Sequence, residues 1–402
     1  MNRYDRNLKI LHVINYYHEG FGYQENWLAY HQKKLDNEVM VATSDYYFPF
    51  PEYNGTMEKR LGDRHVGTGL YKDNGVNIVR LRSSFDSVGS AGILYFDIKG
   101  ILADFLPDIV HVHSATNMCI PELIWLKKKY DYQIFIDSHQ DYSVARKNGG
   151  KIEQSYYYFW RLYYHLFSAK KAIDKFLPIT INAQKWLADK FCLPKEYMAI
   201  SPLGVDMKSM SYTEEQGAIF KKTYGLEDKM IVVNAGKQYR EKRIDWIIDV
   251  VESSVKRGCN AFLILVGNAG EKYDGFISER LQKIRGAYLR LPFLRRDELR
   301  TVYSACDIGI WPGIPSITIQ EAMACRIAMI LPDDDIVGHL IEGNGLAESK
   351  DIDVAAKYIC SLDKDKDLLE EHKSMSEQIA SRYSWESIAK ELLNVYQGKC
   401  SQ

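Results

Sequence analysis

The stretch 311–331, WPGIPSITIQEAMACRIAMIL, contains a strand end, a turn, a helix and a second strand. The Pro-Gly pair ends the first strand. Ser316 is a residue type that caps helices, because its hydroxyl accepts from an amide of the first turn, and it predicts a helix over 317–325. The apolar run 327–331 predicts a buried strand. A strand, a helix and a strand of these lengths form a βαβ unit, which indicates a parallel sheet.

The start of this helix is a candidate anion site. The amides of Ile317 and Thr318 would point into the turn, and helix N-termini favour negative groups. One turn further in, Glu321 is the only charged residue of the segment 312–325. A carboxylate can accept two hydrogen bonds, for example from a ribose diol. The alternative is that Glu321 is a solvated helix residue.

A basic loop, AGKQYREKR at 235–243, follows the apolar run 230–234. Lys237 and Lys242 are the candidate functional cations, and Gly236 would let a ligand approach the backbone. A diphosphate leaving group gains negative charge in the transition state, and fixed cations stabilise that charge without a metal. The alternative is a solvated basic loop.

The N-terminal residues predict another βαβ unit, with strands at 9–15 and 39–42 around a helix that ends near Lys34. Gly20 and Gly22 lie between the first strand and the helix, and Gly22 is a candidate phosphate contact. The alternative is a tight turn without a ligand. The dinucleotide fingerprint needs a third glycine and an acidic partner, and their absence argues against an NAD-dependent oxidoreductase.

Two histidines follow later strands of this half, at 109–113 and 134–137. Ligands in open α/β sheets bind beyond the carboxyl ends of strands, so His139 is a candidate ligand contact and His113 a weaker one. The alternative is a satisfied structural histidine. The polar, tyrosine-rich segment 46–90 is predicted to be an extended excursion outside the sheet.

The second half alternates strands and helices regularly. Strands are predicted at 230–234, 261–266, 288–291, 308–311 and 328–331, with helices at 245–257, 274–285 and 296–305. This alternation predicts a second Rossmann-like domain, and the fold class is α/β with two such domains.

The composition is that of an ordinary globular protein: 402 residues, 46% hydrophobic, 26% charged, with a net charge of −1. That charge gives no electrostatic reason to expect nucleic acid as a partner. The 7 cysteines follow no metal-binding spacing, which predicts reduced thiols, no zinc site and a cytoplasmic location. The N-terminus has no signal core, and no run of 18 apolar residues occurs.

The segment 155–167, SYYYFWRLYYHLF, is unusually rich in aromatic residues. On a helix these rings would cover nearly every face, so part of the surface must remain apolar unless something covers it. One hypothesis is peripheral contact with the inner face of a membrane, where Tyr and Trp rings are favoured. The alternative is packing against the other domain or a second subunit.

Several of these motifs resemble, in order, those of family 4 glycosyltransferases, which are two-domain GT-B enzymes. The sequence EAMAC at 321–325 is similar to the family's EAMACG signature. The loop from Gly236 to Lys242, the turn VGNAG at 266–270, LPFL at 291–294 and PLGVD at 202–206 also have counterparts there.

The resemblance implies two Rossmann-like domains that face each other across a cleft. Residues 1–205 would bind the acceptor, residues 206–382 the nucleotide sugar, and residues 383–402 would form a helix that returns to the first domain. The implied reaction moves a hexose from a nucleoside diphosphate sugar, with UDP or GDP as the nucleotide, to a hydroxyl of a glycan or lipid-linked acceptor. It proceeds with retention and without a metal or separate cofactor, in cell-surface polysaccharide or glycan assembly.

The resemblance also assigns roles to residues. Lys237 and Lys242 would hold the diphosphate, Glu321 the ribose and His139 the donor sugar. Further donor contacts are expected at Gly22, Gly236, Asn268, Leu294, Ser316, Ile317 and Thr318.

Two positions depart from the family pattern. Gly313 stands where the first of two paired glutamates is expected, and Arg326 replaces a glycine. In relatives the missing glutamate contacts the donor sugar. Its loss leaves a second hypothesis open, a catalytically silent nucleotide-sugar-binding subunit of a glycan assembly complex.

Overall fold

The computed structural model describes residues 7–50, 53, 58–86, 94–142, 151–166, 169–313, 316–348 and 350–399. They form two compact units. The first unit comprises residues 1–203 and 385–402, and the second comprises residues 204–384. The boundaries proposed from sequence lie two residues from these divisions.

A seven-stranded sheet organises the first unit, in the order β3-β4-β2-β1-β7-β8-β9. Its strands are β1 (Lys9–Ile14), β2 (Glu38–Ser44), β3 (Gly69–Asp73), β4 (Val76–Leu81), β7 (Ile109–His113), β8 (Gln133–Ser138) and β9 (Lys175–Pro178). All neighbours pair in parallel except β3, which runs antiparallel to β4. A separate antiparallel pair is formed by β5 (Ser83–Asp86) and β6 (Leu94–Phe96).

Helices connect these strands and cover both faces of the sheet. They are α1 (Gln24–Lys34), α2 (Glu58–Leu61), α3 (Lys99–Phe105), α4 (Ile120–Tyr130), α5 (Lys151–Leu166), α6 (Ala169–Ala172), α7 (Ile181–Phe191) and, from the C-terminus of the chain, α15 (Trp385–Tyr396).

The prediction of an extended excursion over 46–90 is wrong for the strands β3 and β4. The segment VNIVRL of β4 alternates buried and half-buried residues, as expected of a strand with one covered face. The charged Arg80 occupies one of the buried positions, so hydrophobicity alone did not predict this strand. The Arg80 guanidinium donates to the Glu19 carboxylate and to the carbonyls of Tyr17 and Ser44.

The two faces of this sheet differ in chemistry, because successive side chains of a strand point to opposite sides. Leu11 and Val13 of β1 belong to the main hydrophobic core of the unit, with Val110 and Val112 of β7. The opposite face carries buried polar side chains, among them His12 of β1.

The aromatic helix α5 packs inside its own unit. Trp160 and Tyr164 are fully buried, and the ring of Tyr157 lies edge-on to that of Trp186 on α7, with centroids 5.3 Å apart. Packing within the first unit was not among the alternatives drawn from the sequence. Tyr158 and Phe159 remain exposed, at 60% and 47%, while Phe167 lies outside the described residues.

The second unit contains a parallel six-stranded sheet in the order β12-β11-β10-β13-β14-β15. The strands are β10 (Met230–Ala235), β11 (Ala261–Val266), β12 (Tyr288–Leu291), β13 (Ile308–Ile310), β14 (Ala328–Pro332) and β15 (Gly345–Glu348). The helices are α8 (Glu214–Tyr224), α9 (Ile244–Lys256), α10 (Glu271–Leu281), α11 (Arg296–Ser304), α12 (Thr318–Ala324), α13 (Ile352–Lys364) and α14 (Lys366–Arg382). The predicted alternation of strands and helices in this half is confirmed.

Ser316 does not cap the helix that follows it, contrary to the prediction. The helix α12 runs over Thr318–Ala324, and its N-cap position is Ile317, with φ −56° and ψ −24° and no side-chain cap hydrogen bond. Ile317 itself has helical dihedral angles and a side chain that cannot accept a hydrogen bond, and the Ser316 carbonyl accepts from the Ile319 amide at 3.1 Å.

None of the helices in the described part of the chain has the length and apolar character needed to cross a membrane.

Candidate active site

Two loops meet at the carboxyl edge of the second sheet, one after β10 and one after β13. The strands are hydrogen-bonded neighbours, so the segments that leave them lie side by side. The Thr318 hydroxyl donates to the carbonyl of Ala235 at 3.0 Å, and the indole of Trp311 donates to the same carbonyl at 3.2 Å. These bonds fix the start of α12 against the end of β10.

Glycines allow three backbone segments to approach closely here. Gly236 has φ +130°, and a Cβ on Gly267 would lie 2.1 Å from the Gly236 carbonyl oxygen. A Cβ on Gly313 would lie 2.1 Å from the carbonyl oxygen of Glu241. Side chains do not tolerate such distances, so the loop after β10 occupies the space that a glutamate at position 313 would need.

That same loop carries the two predicted cations. Lys237 is exposed, whereas Lys242, at the end of the 3-10 turn Arg240–Lys242, is 8% exposed. Burial lowers the pKa of the Lys242 ammonium to about 8, because desolvation disfavours the charged form. The Lys242 Nζ also lies 5.7 Å from the ring centroid of Tyr239. A buried ammonium in this position would gain from a bound anion.

Glu321 lies on α12 and is 5% exposed. Its Oε1 pairs with the Arg296 guanidinium at 3.1 Å, and Arg296 is the first residue of α11. Burial raises the pKa of Glu321 above its ordinary value, and Arg296 opposes that shift. The sequence interpretation missed Arg296, because nothing in the sequence places the start of α11 beside α12.

The other predicted contacts of this unit are distributed around the two loops. A Cβ on Gly236 would lie 3.7 Å from the Ser316 hydroxyl. Asn268 follows β11, and its carbonyl accepts from the Gln238 amide at 2.9 Å. Leu294 packs against the hydrophobic core just before α11. The two loops thus bring together four of the predicted residues, Gly236, Lys242, Ser316 and Thr318. Glu321 lies one turn further along α12.

Gly22 and His139 belong to the first unit, at the carboxyl ends of β1 and β8. Gly22 has φ +70° and lies in a loop anchored by Asp73, whose Oδ2 accepts from the Gly20 amide and the Tyr17 hydroxyl. These hydrogen bonds are enough to hold the loop in a tight turn, so its shape does not require a bound ligand. His139 directly follows β8 and is exposed.

A buried histidine cluster beneath this edge was missed by the sequence interpretation. Among the described residues, His111, His113 and Asp137 have ligand atoms within 4.8 Å of one another, close enough for a metal ion. Every one of these atoms is already hydrogen-bonded to a neighbouring side chain. The signal available in the sequence was the alternation IVHVH, which places both histidines on one face of β7.

Comparison with known proteins finds a family similarity for most of the second unit. Residues 216–382 match the sequence model of the family described as "Glycosyl transferases group 1". This segment is similar to group 1 glycosyltransferase domains. It contains Lys237, Lys242, Asn268, Leu294 and Glu321, so these predicted residues of the second unit lie within the matched family domain.

The chain is also similar to curated proteins over part of its length. An alpha-D-kanosaminyltransferase of Streptomyces kanamyceticus is 25% identical over 173 residues, which is 41% of this chain and 44% of that protein. The matched region spans about half the length of the curated relatives.

Solved structures match almost the whole chain. A glycosyltransferase from Rickettsia africae aligns with a TM-score of 0.68 and 14% identity, covering 98% of this chain and 99% of the other. HepE of Anabaena, solved in complex with UDP, aligns with a TM-score of 0.66 and 14% identity, covering 96% and 98%. The predicted GT-B fold is confirmed by this coverage.

Proposed function

We propose that this chain transfers a hexose from a nucleoside diphosphate sugar to a hydroxyl group of a glycan or lipid-linked acceptor, with retention. The proposed setting is cell-surface polysaccharide or glycan assembly on the cytoplasmic side of a membrane. Similarity to group 1 glycosyltransferase domains supports the reaction class, and a relative of the same fold binds UDP.

One observation carries the proposal: the nearly buried Lys242 lies on a loop packed against Gly313 and next to the start of α12. Burial makes the Lys242 ammonium sensitive to nearby charge, because there is little solvent to screen it. A diphosphate bound there would place negative charge beside this ammonium, and Lys237 on the same loop would add a second cation. The amides of Ile317 and Thr318 would contribute further donors.

The remaining donor contacts follow from the geometry of α12. Glu321 uses Oε1 to bind Arg296, and a carboxylate has four acceptor positions on its two oxygens. We propose that Oε2 accepts from the ribose hydroxyls. Asn268 and Leu294, which precede α10 and α11, would border the nucleotide.

The bond-breaking step needs stabilisation of the leaving diphosphate. Lys237 and Lys242 provide fixed positive charge where negative charge develops, so no metal is required in this proposal. No side-chain nucleophile was identified from the sequence, and we therefore propose attack on the same face as the departing phosphate. Trapping of a sugar on a side chain of the protein would contradict this mechanism.

The acceptor would bind to the first unit. His139 and Gly22, at the carboxyl edge of its sheet, remain proposed contacts of the donor sugar and of the phosphates. Membrane contact through 155–167 is retained as a proposal for Tyr158 and Phe159 only, because Trp160 is buried.

A catalytically silent nucleotide-sugar-binding subunit is the second candidate. The observation that favours it is the lack of space at Gly313 for the glutamate that catalytic relatives are expected to carry. Both candidates predict nucleotide binding, and only the first predicts turnover.

The first experiment is thermal stabilisation by UDP, GDP, ADP and CDP, with and without EDTA, on the wild type and Glu321→Gln. A ligand at about 100 times its Kd adds roughly 2.7 kcal/mol of stability. We expect one nucleotide to raise the Tm regardless of EDTA, and to raise it less in the variant. Inorganic pyrophosphate should bind both proteins equally, because it has no ribose.

The second experiment measures release of UDP or GDP from the sugar nucleotide that the first identifies. Release by the wild type supports a transferase, while binding without release favours the silent subunit. No stabilisation by any nucleotide would contradict both.

A further inference from the structure

Six buried side chains of the first unit form a closed hydrogen-bonded ring. Between them they come from three neighbouring strands, from α1 and from α15, and none is more than 6% exposed. In ring order they are Tyr396, His111, Asp137, His113, His12 and Gln32.

Hydrogen-bond distances link Asp137 to a histidine on each side. The Tyr396 hydroxyl lies 2.5 Å from His111 Nδ1, and His111 Nε2 lies 3.2 Å from Asp137 Oδ2. The same Oδ2 lies 2.6 Å from His113 Nδ1, whose Nε2 is 3.0 Å from His12 Nδ1.

Gln32 completes the circuit. Its Oε1 lies 2.7 Å from His12 Nε2, and its Nε2 donates to the Tyr396 hydroxyl at 3.4 Å. The three imidazoles stack, with centroids 4.7 to 5.2 Å apart. All six nitrogen atoms of the three rings therefore take part in the circuit.

Counting hydrogens fixes the charge of this ring. Six links need six hydrogens. The Tyr396 hydroxyl supplies one and the Gln32 amide supplies one, while an ionised Asp137 supplies none. The histidines must supply four, but three neutral imidazoles carry only three. One of them must be an imidazolium, and reversing the Gln32 amide does not change this count.

The neighbours of the rings locate the extra hydrogen. Because Gln32 Oε1 faces His12 Nε2, that nitrogen carries a hydrogen, and the hydrogen between His12 Nδ1 and His113 Nε2 makes one of these two rings the imidazolium. We place it on His113, because His113 Nδ1 lies 2.6 Å from Asp137 Oδ2 whereas the ring partners of His12 are uncharged side chains; His12 Nδ1 then accepts from His113. On the other side, His111 Nδ1 accepts from the Tyr396 hydroxyl and its Nε2 donates to Asp137. His113 then donates from both nitrogens.

We propose that His113 is held as an imidazolium by this ring, and that it positions the C-terminal helix α15 on the first sheet through Asp137, His111 and Tyr396. This inference goes beyond the proposed transfer reaction and does not depend on it. The helix α15 is the part of the first unit that the chain enters on leaving the second unit.

The charges around the ring agree with this assignment. Burial opposes a charge on His113, but Asp137 outweighs it and raises the pKa of His113 above its ordinary value. Burial and neighbouring histidines lower the pKa of His12, and burial lowers that of His111. Despite burial, His113 and the two imidazole hydrogen bonds hold the pKa of Asp137 well below its usual range.

Two more titratable groups act on the ring from outside. Glu25 of α1 adds to the positive shift of His113, and burial raises the pKa of Glu25 to about 7. His139, which follows β8, helps to lower the pKa of the Asp137 carboxyl. The charged state of His113 therefore persists to higher pH than that of an ordinary histidine and is lost as the pH rises through its raised pKa.

The test uses the full chain labelled with 15N in its histidines. Side-chain 15N shifts distinguish an imidazolium from each neutral tautomer, and single His→Gln variants assign the signals. At pH 7.5 we expect His113 as imidazolium, and His12 and His111 neutral with hydrogen on Nε2. A neutral His113 at this pH would overturn the proposal.

A second variant tests the closed circuit. Tyr396→Phe opens the ring and lets Gln32 turn, after which three neutral imidazoles suffice. We expect the titration of His113 to move to lower pH and residues 385–396 to exchange their amide hydrogens faster. Tyr164→Phe is the matched control, because it removes a buried hydroxyl that donates only to the Ala115 carbonyl.

Two results would overturn the proposal. One is an unchanged His113 titration in Tyr396→Phe. The other is a shift of the His111 and His113 signals on addition of equimolar Zn²⁺, which would assign these atoms to a metal. Neither measurement requires transferase activity, so failure of the ring and failure of the proposed reaction are distinguishable.

Discussion

The pH dependence of nucleotide binding follows from the burial of Lys242. Its ammonium has a pKa of about 8 in the free protein, so roughly nine-tenths of the molecules carry the charge at pH 7 and about one-tenth at pH 9. A bound diphosphate carries opposite charge and keeps Lys242 protonated. Binding therefore takes up a proton above pH 8, and the affinity for UDP falls as the pH rises.

The magnitude follows from those fractions. If the complex remains protonated, the affinity at pH 9 is about tenfold lower than at pH 7, which equals about 1.4 kcal/mol. The stability of the free protein has the opposite slope. Because the folded pKa lies below the ordinary lysine value, the unfolded chain binds more protons between about pH 8 and 10.4, and stability rises with pH there.

Isothermal titration calorimetry with UDP at pH 7, 8 and 9 measures this slope; the nucleotide found by thermal stabilisation replaces UDP if it differs. Lys242→Met should bind weakly at every pH. Lys242→Arg should lose the pH dependence, since a guanidinium stays charged throughout. Lys222→Met, on the exposed side of α8, is the matched control and should behave as the wild type. A wild-type affinity that is equal at pH 7 and 9 would refute the reasoning.

Two further predictions concern packing. Gly313→Ala places a Cβ 2.1 Å from the Glu241 carbonyl oxygen, so we expect a lower Tm and weaker UDP binding; Gly275→Ala in α10 meets nothing within 4 Å and should stabilise by up to about 1 kcal/mol. If both variants melt alike, the close approach at Gly313 is wrong. Trp160→Ala should destabilise the first unit by about 3 to 5 kcal/mol in urea unfolding, whereas Phe159→Ala should cost under about 1 kcal/mol because its ring is 47% exposed. Equal losses would contradict the burial of Trp160.

Regular alternation made the second unit predictable. Five of its six strands lie within about a residue of their predicted bounds, and the central ones are mostly apolar runs, as parallel strands covered on both faces require. The edge strand β15, with the sequence GLAE, has no such run and was not predicted. Ser316 shows the limit of local rules. Its residue type suits an N-cap, but the helix α12 begins at Thr318, and its N-cap position is Ile317, which makes no side-chain cap hydrogen bond.

The first unit was less predictable because polar residues are buried in it. Arg80 interrupts the apolar pattern of β4, and its partner Glu19 lies 61 residues away in the chain. The histidine ring depends on contacts between His111 and Tyr396, 285 residues apart. Tertiary contacts of this kind have no local sequence signal, whereas the loop that carries Lys237 and Lys242 is contiguous and could be read directly.

The close approach of Gly313 to the loop after β10 limits which changes this position can accept. A single mutation that introduced a glutamate at position 313 would bring its Cβ into the Glu241 backbone before the new carboxylate could contribute anything. The loop would first have to move, and moving it displaces Lys242. A glutamate at this position therefore requires a rebuilt loop as well as a changed side chain, so no single substitution can supply it.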